Sequence, residues 1–282
     1  MYKINLHITN KCNYHCKYCF GHFHNDRDLS LKDWFNIIDN INQSNLINAI
    51  NFAGGEPVLY KGFEKLLDYA YKRKFETSII SNGSLLMNKS FVSPGIFEKL
   101  HTVGISIDSF NPNILRELGR CTNRGKILNY ETFKNIVFYI KHTNPAIKIK
   151  LNTVVNKINL YETLFKIEKE IPIDRWKFLK IKEFEANKKY NSDLLISYKD
   201  YYRFVKRNYI LLGDEVLEDD LTHSYIIVDN NGNLLDNQGT DYNIIGNLLK
   251  EDFSKLFSML PLNKEKYFAR YNGKDACRNE FY

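Results

Sequence analysis

The chain has 282 residues, of which 44% are hydrophobic and 26% are charged, and it carries a net charge of +7 at pH 7. These proportions are typical of a soluble globular protein, and no apolar run in the sequence approaches the roughly 20 residues of a membrane span. We therefore expect a cytoplasmic protein that has no membrane partner. We also expect a monomer, although the sequence does not define the oligomeric state.

The positive charge does not by itself indicate nucleic-acid binding. The 40 lysines and arginines are scattered along presumed helix faces, where a solvated surface is the ordinary explanation. The 19 tyrosines and 19 phenylalanines form no array with basic residues of the kind that binds RNA. We therefore expect no nucleic-acid partner.

Six short apolar or alternating segments recur in the first 180 residues, and each is followed by a stretch of helical period. This alternation predicts parallel strands joined by helices. The predicted strands span residues 3–9, 49–53, 76–80, 103–108, 148–154 and 176–180. Helix starts are predicted after the capping residues Ser30, Ser93, Asn159 and Ser197. The pattern predicts an α/β fold, a partial (β/α)6 barrel with its site at the carboxyl ends of the strands or inside the barrel.

The last third of the chain departs from this alternation. Residues 224–228 and 234–235 flank a turn-forming segment and predict a hairpin, and residues 251–259 predict a helix. No linker marks a domain boundary. We predict one domain over residues 1–282, with a barrel core at 1–180 and an extension at 181–282 that caps the barrel.

Cys12, Cys16 and Cys19 follow the first predicted strand with three and then two residues between them. Closely spaced thiolates bind soft metals or iron-sulfur clusters, and a cubane cluster held by three cysteines has one iron open to a small molecule. Disulfides are disfavoured because the chain has five cysteines, an odd number, and no secretory signal. A structural zinc site is the main alternative. Its fourth ligand would come from His15, His22 or His24.

Four predicted strands alternate polar and apolar side chains. The polar pairs are Asn5 and His7, Ser106 and Asp108, Lys150 and Asn152, and Arg175 and Lys177. Because buried charges need partners, polar faces on four strands predict a barrel interior that holds a polar ligand, whereas any one pair alone is as readily explained by a solvated strand end. Lys150, Arg175 and Lys177 lie on neighbouring predicted strands, so we expect them to converge as a three-cation cluster suited to phosphate oxygens.

Gly54, Gly55, Glu56 and Pro57 close the second strand. Paired glycines let a backbone approach a ligand closely, although a lone glycine pair more often marks an ordinary turn. The segment from Ser81 to Gly83 also indicates a turn when it is taken alone.

The cysteine motif followed by Gly-Gly-Glu-Pro resembles the radical S-adenosylmethionine (radical SAM) superfamily. The resemblance implies a [4Fe-4S] cluster on Cys12, Cys16 and Cys19. It also implies that S-adenosylmethionine binds the open iron, and that Gly54, Gly55 and Glu56 bind its methionine moiety.

Over nearly the whole chain the sequence is also similar to the viperin family. The segments that carry this similarity include Asn5-Leu-His7, Ser81-Asn-Gly-Ser84, Lys150-Leu-Asn152, Arg175-Trp-Lys177 and the run from Ser224 to Val228. The resemblance implies an enzyme that abstracts the 4′-hydrogen of CTP, UTP or GTP and eliminates the 3′-hydroxyl as water. Its 3′-deoxy-3′,4′-didehydro product would act as a chain terminator in antiviral defence, and an electron-donor protein would supply the electrons. The alternative is a radical SAM enzyme that modifies peptides or activates another enzyme.

The viperin resemblance also implies roles for individual residues. Lys150, Arg175 and Lys177 would bind the triphosphate, and Asn5, His7 and Tyr225 would contact the nucleotide, with Tyr225 as a proton donor near the sugar. The residues expected near S-adenosylmethionine are Ser81, Asn82, Ser106, Asp108, Arg120 and Asn152, with Arg120 and Asn152 also near the sugar.

The chain departs from the viperin pattern at two places. After the third cluster cysteine, viperins carry a lysine that reaches the substrate region, and His24 is nearest to that place here. Residues 119–125 are bulkier than their glycine-rich counterpart, which would reshape the base pocket. Cys121 and Cys277 are isolated, and we expect both to be ordinary thiols.

Overall fold

The structure is a computed structural model that describes residues 1–19, 21, 27–164, 167, 170–183, 191–208, 216–218, 222–238 and 241–271. The strands within these residues are β1 (Tyr2–His7), β2 (Ile47–Ala53), β3 (Glu76–Ser81), β4 (Thr102–Ser106), β5 (Lys148–Val155), β6 (Arg175–Lys180), β7 (Val216–Glu218), β8 (Ile227–Val228), β9 (Asn233–Asp236) and β10 (Asn243–Asn247). The α-helices are α1 (Leu31–Gln43), α2 (Phe63–Lys72), α3 (Ile96–Lys99), α4 (Pro112–Glu117), α5 (Tyr130–Thr143), α6 (Tyr198–Asn208), α7 (Phe253–Met259) and α8 (Lys264–Tyr271).

Within the described residues, the ten strands form one sheet in the order β10-β9-β8-β1-β2-β3-β4-β5-β6-β7. Neighbours from β1 to β7 run parallel, which confirms the predicted β-α repeat. The sheet has two edges and is therefore not a closed barrel. Asn5 on β1 and Lys177 on β6 nevertheless line the same cavity, because the sheet curls around it. This architecture confirms the predicted partial barrel.

The helices cover the outer face of the sheet with apolar stripes. In α1 the stripe consists of Trp34, Ile37, Ile38 and Ile41, all fully buried. Burial of each such side chain contributes roughly 1.5–3 kcal/mol. The outward side chains of β1, such as Ile4 and Leu6, lie in the same core cluster. The inner face of the sheet is therefore left for polar side chains.

Two of the four predicted helix caps are confirmed. Ser30 forms a capping box with Asp33 at the start of α1, and the Ser197 hydroxyl accepts the backbone N–H of Asp200 in α6. Each cap satisfies a backbone donor that the helix start leaves without a partner.

The predictions for Ser93 and Asn159 are wrong. The Ser93 backbone N–H and hydroxyl both donate to the Glu64 carboxylate on α2, and α3 begins only at Ile96. The Asn159 amide donates to the carbonyls of Asp108 and Val154 instead of capping a helix. In both cases a tertiary hydrogen bond replaces the local capping interaction.

The extension continues the sheet at both edges of the core. β7 pairs with β6, and β8 pairs with β1 in parallel. β8 and β9 form the predicted hairpin, and α7 begins two residues after the predicted helix start. The Tyr267 hydroxyl in α8 accepts the Lys3 backbone N–H at 2.5 Å and donates to the Lys3 carbonyl at 3.0 Å. Tyr225, Tyr242 and Tyr267 line the cavity, so the extension also forms part of its wall.

No helix in the described part of the chain combines the length and the apolar character that a membrane crossing requires.

Candidate active site

A cavity of about 870 Å³ lies inside the curled sheet and brings together almost all predicted site residues. Its wall includes the three motif cysteines and both glycines of the Gly-Gly pair. It also includes the polar pairs of four strands, the residues Ser81 and Asn82 after β3, and Arg120 and Tyr225. The predicted residues that line it are Asn5, His7, Cys12, Cys16, Cys19, Gly54, Gly55, Ser81, Asn82, Ser106, Asp108, Arg120, Lys150, Asn152, Arg175, Lys177 and Tyr225.

The Gly-Gly pair holds the cysteine loop. The Gly55 N–H donates to the Thr9 carbonyl at 2.6 Å, and the Glu56 N–H donates to the Lys11 carbonyl at 2.7 Å. A Cβ atom at Gly55 would lie 2.3 Å from the Lys11 carbonyl oxygen, which is far inside contact distance. Both glycines also line the cavity. The glycines were predicted to let the backbone approach a ligand closely. Here they let it approach the segment that precedes Cys12.

The other side of the cysteine loop packs on Gly119. The His15 N–H donates to the Gly119 carbonyl at 3.1 Å, and the Lys17 N–H donates to the Leu118 carbonyl at 3.1 Å. Gly119 has a φ of +74°, and a Cβ there would lie 2.1 Å from the His15 carbonyl oxygen. The loop is thus fixed on both sides by backbone hydrogen bonds, which preorganises the three cysteines.

The three cysteine thiols would supply the sulfur ligands of an iron-sulfur cluster, because all of them line the cavity from one loop. In the described residues no three such side chains already surround a single metal position. Burial raises the pKa of Cys12 to about 11 and that of Cys16 to about 12, and it also raises the pKa of Cys19. Neighbouring negative groups raise these values further: Glu56 and Cys19 raise the pKa of Cys12, and Cys19 and Asp108 raise that of Cys16. Thiolates in such a site require a compensating positive charge, which metal coordination supplies.

A buried ion pair lies next to the cysteines. The Arg120 Nε lies 3.1 Å from the Asp108 Oδ2, and the Arg120 Nη2 donates to the Ser106 carbonyl. The Tyr18 hydroxyl donates to the same Asp108 oxygen, and the Val154 N–H donates to the other at 2.7 Å. Burial, followed by the Asp108 charge, raises the pKa of Tyr18 well above its usual value. The Asp108 carboxylate therefore orients Arg120 at the cavity wall.

Glu56 occupies a different place from the one predicted. It is fully buried, and among the predicted site residues in the described chain it alone does not line the cavity. Its carboxylate accepts the Ser81 hydroxyl and the Asn82 N–H, both at 2.8 Å. Burial raises the pKa of Glu56 to about 7. The side chain connects the Gly-Gly loop to the end of β3.

A chain of hydrogen-bonded polar side chains on the inner face of β1 to β3 was not predicted from the sequence. Asn51 donates to the Asn5 Oδ1 at 2.8 Å, and the Ser78 hydroxyl donates to the Asn51 Oδ1 at 3.0 Å. Asn51 alternates with the apolar Ile50 and Phe52, which is the same signal that identified the other inward pairs. These bonds fix the orientation of Asn5.

The three predicted cations lie on adjacent strands. Lys150 and Arg175 are register partners on β5 and β6, and Lys177 lies opposite Asn152 on the same face. Neighbouring strands are about 4.8 Å apart, and same-face residues along a strand are about 6.6 Å apart. Lys177 is only 4% exposed. The three side chains can therefore act on one polyanion, where reduced solvent screening strengthens the attraction.

The polar pair Asn5 and His7 on β1 is also buried. Burial lowers the pKa of His7 to about 4, so its imidazole is neutral at pH 7 and offers one donor and one acceptor. Additional cavity residues come from the extension, including Asn237, Asp241 and Tyr242. The alternation of β-α units carries no signal for these positions, because they follow the barrel core.

Three residues considered in the sequence lie outside the described residues, namely His22, His24 and Cys277. His15, the remaining candidate zinc ligand, is exposed. Cys121 is a free cysteine of intermediate exposure.

The sequence model of the radical SAM protein family matches residues 6–149, just over half of the chain. The chain is also 47% identical to the S-adenosylmethionine-dependent nucleotide dehydratase of Selenomonas ruminantium over 272 residues, which are 96% of this chain and 99% of that protein. The chain is a radical SAM protein of the viperin family. Members of the superfamily use a [4Fe-4S] cluster and S-adenosylmethionine. In this viperin-family chain the three cysteines of the loop would hold that cluster.

Solved structures agree with the fold of this viperin-family chain. Streptococcus suis SuiB bound to precursor peptide SuiA has a TM-score of 0.66 and 19% identity, over 94% of this chain and 66% of that one. The anSMEcpe enzyme with bound AdoMet and a peptide has a TM-score of 0.65 and 18% identity, over 96% of this chain and 83% of that one. At these identities the likeness concerns the fold alone, so it gives no support to the peptide-modifying alternative.

Proposed function

We propose that the chain is a radical SAM nucleotide dehydratase that converts a ribonucleoside triphosphate, CTP, UTP or GTP, into its 3′-deoxy-3′,4′-didehydro analogue. The relative from Selenomonas ruminantium carries the name of such a dehydratase. One observation of the structure carries the proposal. Three cations on β5 and β6 share a single cavity with the three cluster cysteines.

The cations are suited to anchor the triphosphate away from the reacting carbon. Lys150 and Arg175 lie side by side, and Lys177 extends the cationic surface toward the carboxyl end of β6. Arginine binds phosphate oxygens in pairs, and lysine adds a compact charge. An anchor of this kind uses binding energy remote from the chemistry to position the sugar.

The sugar would then lie between the anchor and the cysteine loop. The cluster and S-adenosylmethionine supply the one-electron chemistry that removes hydrogen from C4′. Neutral His7 can accept from or donate to a ribose hydroxyl, and Asn5 is held in place by Asn51. We assign Tyr225, which also lines the cavity, as the proton donor near the sugar. Residues of the extension, such as Tyr242, form part of the cavity wall and would limit the access of water.

The cofactor end of the cavity is supported by a second group of residues. Gly54 and Gly55 offer backbone groups, and Asn152 and Ser106 line the wall beside the Arg120–Asp108 pair. We assign these residues to S-adenosylmethionine. Glu56 then acts by holding Ser81 and Asn82, because its carboxylate is already engaged with both. We also propose that a separate electron-donor protein reduces the cluster.

An anaerobic assay tests the proposal. The reconstituted chain is incubated with dithionite, S-adenosylmethionine and each nucleoside triphosphate in turn. We expect one triphosphate to accelerate the formation of 5′-deoxyadenosine and to yield a product lighter by one water, measured by mass spectrometry. The matching nucleoside without phosphates serves as the control and should give little acceleration. If a cluster-loaded chain responds to no triphosphate, the proposal is wrong and the peptide-modifying alternative is favoured.

A further inference from the structure

A ring of hydrogen bonds surrounds the side chain of Asn82, directly after β3. The Asn82 Nδ2 donates to the Asn13 Oδ1 at 2.9 Å and lies 3.9 Å from the Cys12 Sγ, within hydrogen-bond distance for sulfur. The Asn82 Oδ1 accepts the Ser84 N–H at 2.9 Å and the Ser84 hydroxyl at 2.6 Å. The Asn13 Nδ2 closes the ring by donating to the Ser84 hydroxyl at 2.8 Å.

This ring determines which end of the Asn82 amide faces the cysteine. The backbone N–H of Ser84 can only donate, so the group facing it must be the amide oxygen. The amino group is thereby directed to Cys12 and Asn13. The Glu56 carboxylate fixes the backbone of the same residue by accepting its N–H. Asn82 is 8% exposed, so water competes little for these bonds.

We propose that Asn82 is a positioning residue that donates a hydrogen bond to the Cys12 thiolate of the cluster and raises the reduction potential of that cluster. The inference rests on the presence of the cluster and is independent of the substrate in the proposed function. It gives the amide a role other than contact with S-adenosylmethionine. Asn13 and Ser84 act with it, because they hold the amide in the donating orientation.

The direction of the effect follows from charge. Reduction adds one negative charge, which is shared by the cluster sulfurs. A hydrogen-bond donor at a ligand sulfur stabilises the more negative state, so it makes reduction easier. Loss of the donor should therefore move the midpoint potential to more negative values.

The test is a redox titration of the cluster-loaded chain without S-adenosylmethionine or nucleotide, followed by electron paramagnetic resonance. Asn82→Leu keeps the approximate size of the side chain and removes the donor. We expect its ratio of reduced to oxidised cluster at a fixed potential to fall at least about threefold, which is about 28 mV for a one-electron couple at 59 mV per tenfold change. Ser84→Ala should shift the potential in the same direction by a smaller amount.

Asn51→Leu is the matched control, because it removes a buried cavity amide whose partners are Asn5 and Ser78. Its potential should equal that of the unmodified chain. Equal iron content with an unchanged potential in Asn82→Leu would overturn the inference. If Asn82→Leu fails to hold a cluster, Ser84→Ala decides, and an unchanged potential there overturns the inference equally. A shifted potential in a chain that converts no nucleotide would refute the proposed function and leave this inference standing.

Discussion

Glu56 illustrates how a residue can belong to a functional motif and still face away from the ligand cavity. Its carboxylate is buried, accepts bonds from Ser81 and Asn82, and has its pKa raised by burial from 4.5 to about 7. Because the folded pKa exceeds the unfolded value, the folded chain binds more protons between pH 4.5 and 7. This group therefore stabilises the fold at low pH, and its contribution is lost as the pH rises through that window.

Replacement Glu56→Gln should remove this pH dependence. In the chain without S-adenosylmethionine, we expect the contribution of Glu56 to the free energy of unfolding to fall by on the order of 3 kcal/mol between pH 4.5 and 7. The variant should lack this decrease. The measurement is the free energy of unfolding by urea at several pH values. Glu98→Gln, at an exposed position on α3, controls for the loss of a carboxyl group. Parallel pH profiles for Glu56→Gln and the unmodified chain would contradict this prediction.

Lys150 tests the anchor in the proposed function. Lys150→Ala removes one charge-assisted contact, worth about 1.5–3 kcal/mol, so we expect kcat/KM for the nucleotide to fall roughly 10-fold to 150-fold. The affinity for S-adenosylmethionine, measured by calorimetry, should stay unchanged because that end of the cavity is formed by other residues. Lys32→Ala on the exposed face of α1 is the control. Normal turnover in Lys150→Ala would argue against a triphosphate bound to β5.

At the scale of elements, the strands and the inward polar pairs were predictable from the sequence. Strict alternation on β5 and β6 places Lys150, Arg175 and Lys177 on one face, and the structure has them on the cavity wall. Tertiary partners were not predictable, because Ser93 and Asn159 bond to groups distant in sequence instead of capping helices. Cavity residues of the extension, such as Tyr242, were also not predictable, because only the tertiary fold brings them to the cavity wall.

The contact between the cysteine loop and the Gly-Gly loop gives a prediction at this scale. Gly55→Ala introduces a Cβ 2.3 Å from the Lys11 carbonyl oxygen, so one of the two loops must move. We expect the reconstituted variant to bind markedly less iron, by at least about half, and to unfold more readily, since such overpacking costs about 1–3 kcal/mol. Gly95→Ala is the control because a Cβ there meets nothing within 4 Å. Full iron content in Gly55→Ala would show that the two loops can move apart without loss of the cluster, and it would contradict this prediction.

At the scale of the whole molecule, the barrel core and the extension share one sheet. β8 pairs with β1 and β7 with β6, so removal of the extension would expose two strand edges of the core. The Tyr267 hydroxyl adds two hydrogen bonds to the backbone of Lys3 in β1. These contacts lead us to expect that the described core and extension unfold together.

Tyr267→Phe tests this coupling. The change leaves the Lys3 N–H and carbonyl without the hydroxyl, at a cost of about 1–3 kcal/mol. If core and extension are one cooperative unit, the variant should show a single unfolding transition at lower denaturant concentration, with far-ultraviolet circular dichroism and the fluorescence of Trp34 and Trp176 shifting together. Tyr71→Phe, at a position 48% exposed on α2, is the control and should cause little change. Both tryptophans lie before residue 181, so their fluorescence reports on the core. Two separate transitions, of which only one responds to Tyr267→Phe, would instead show that the extension folds independently of that core.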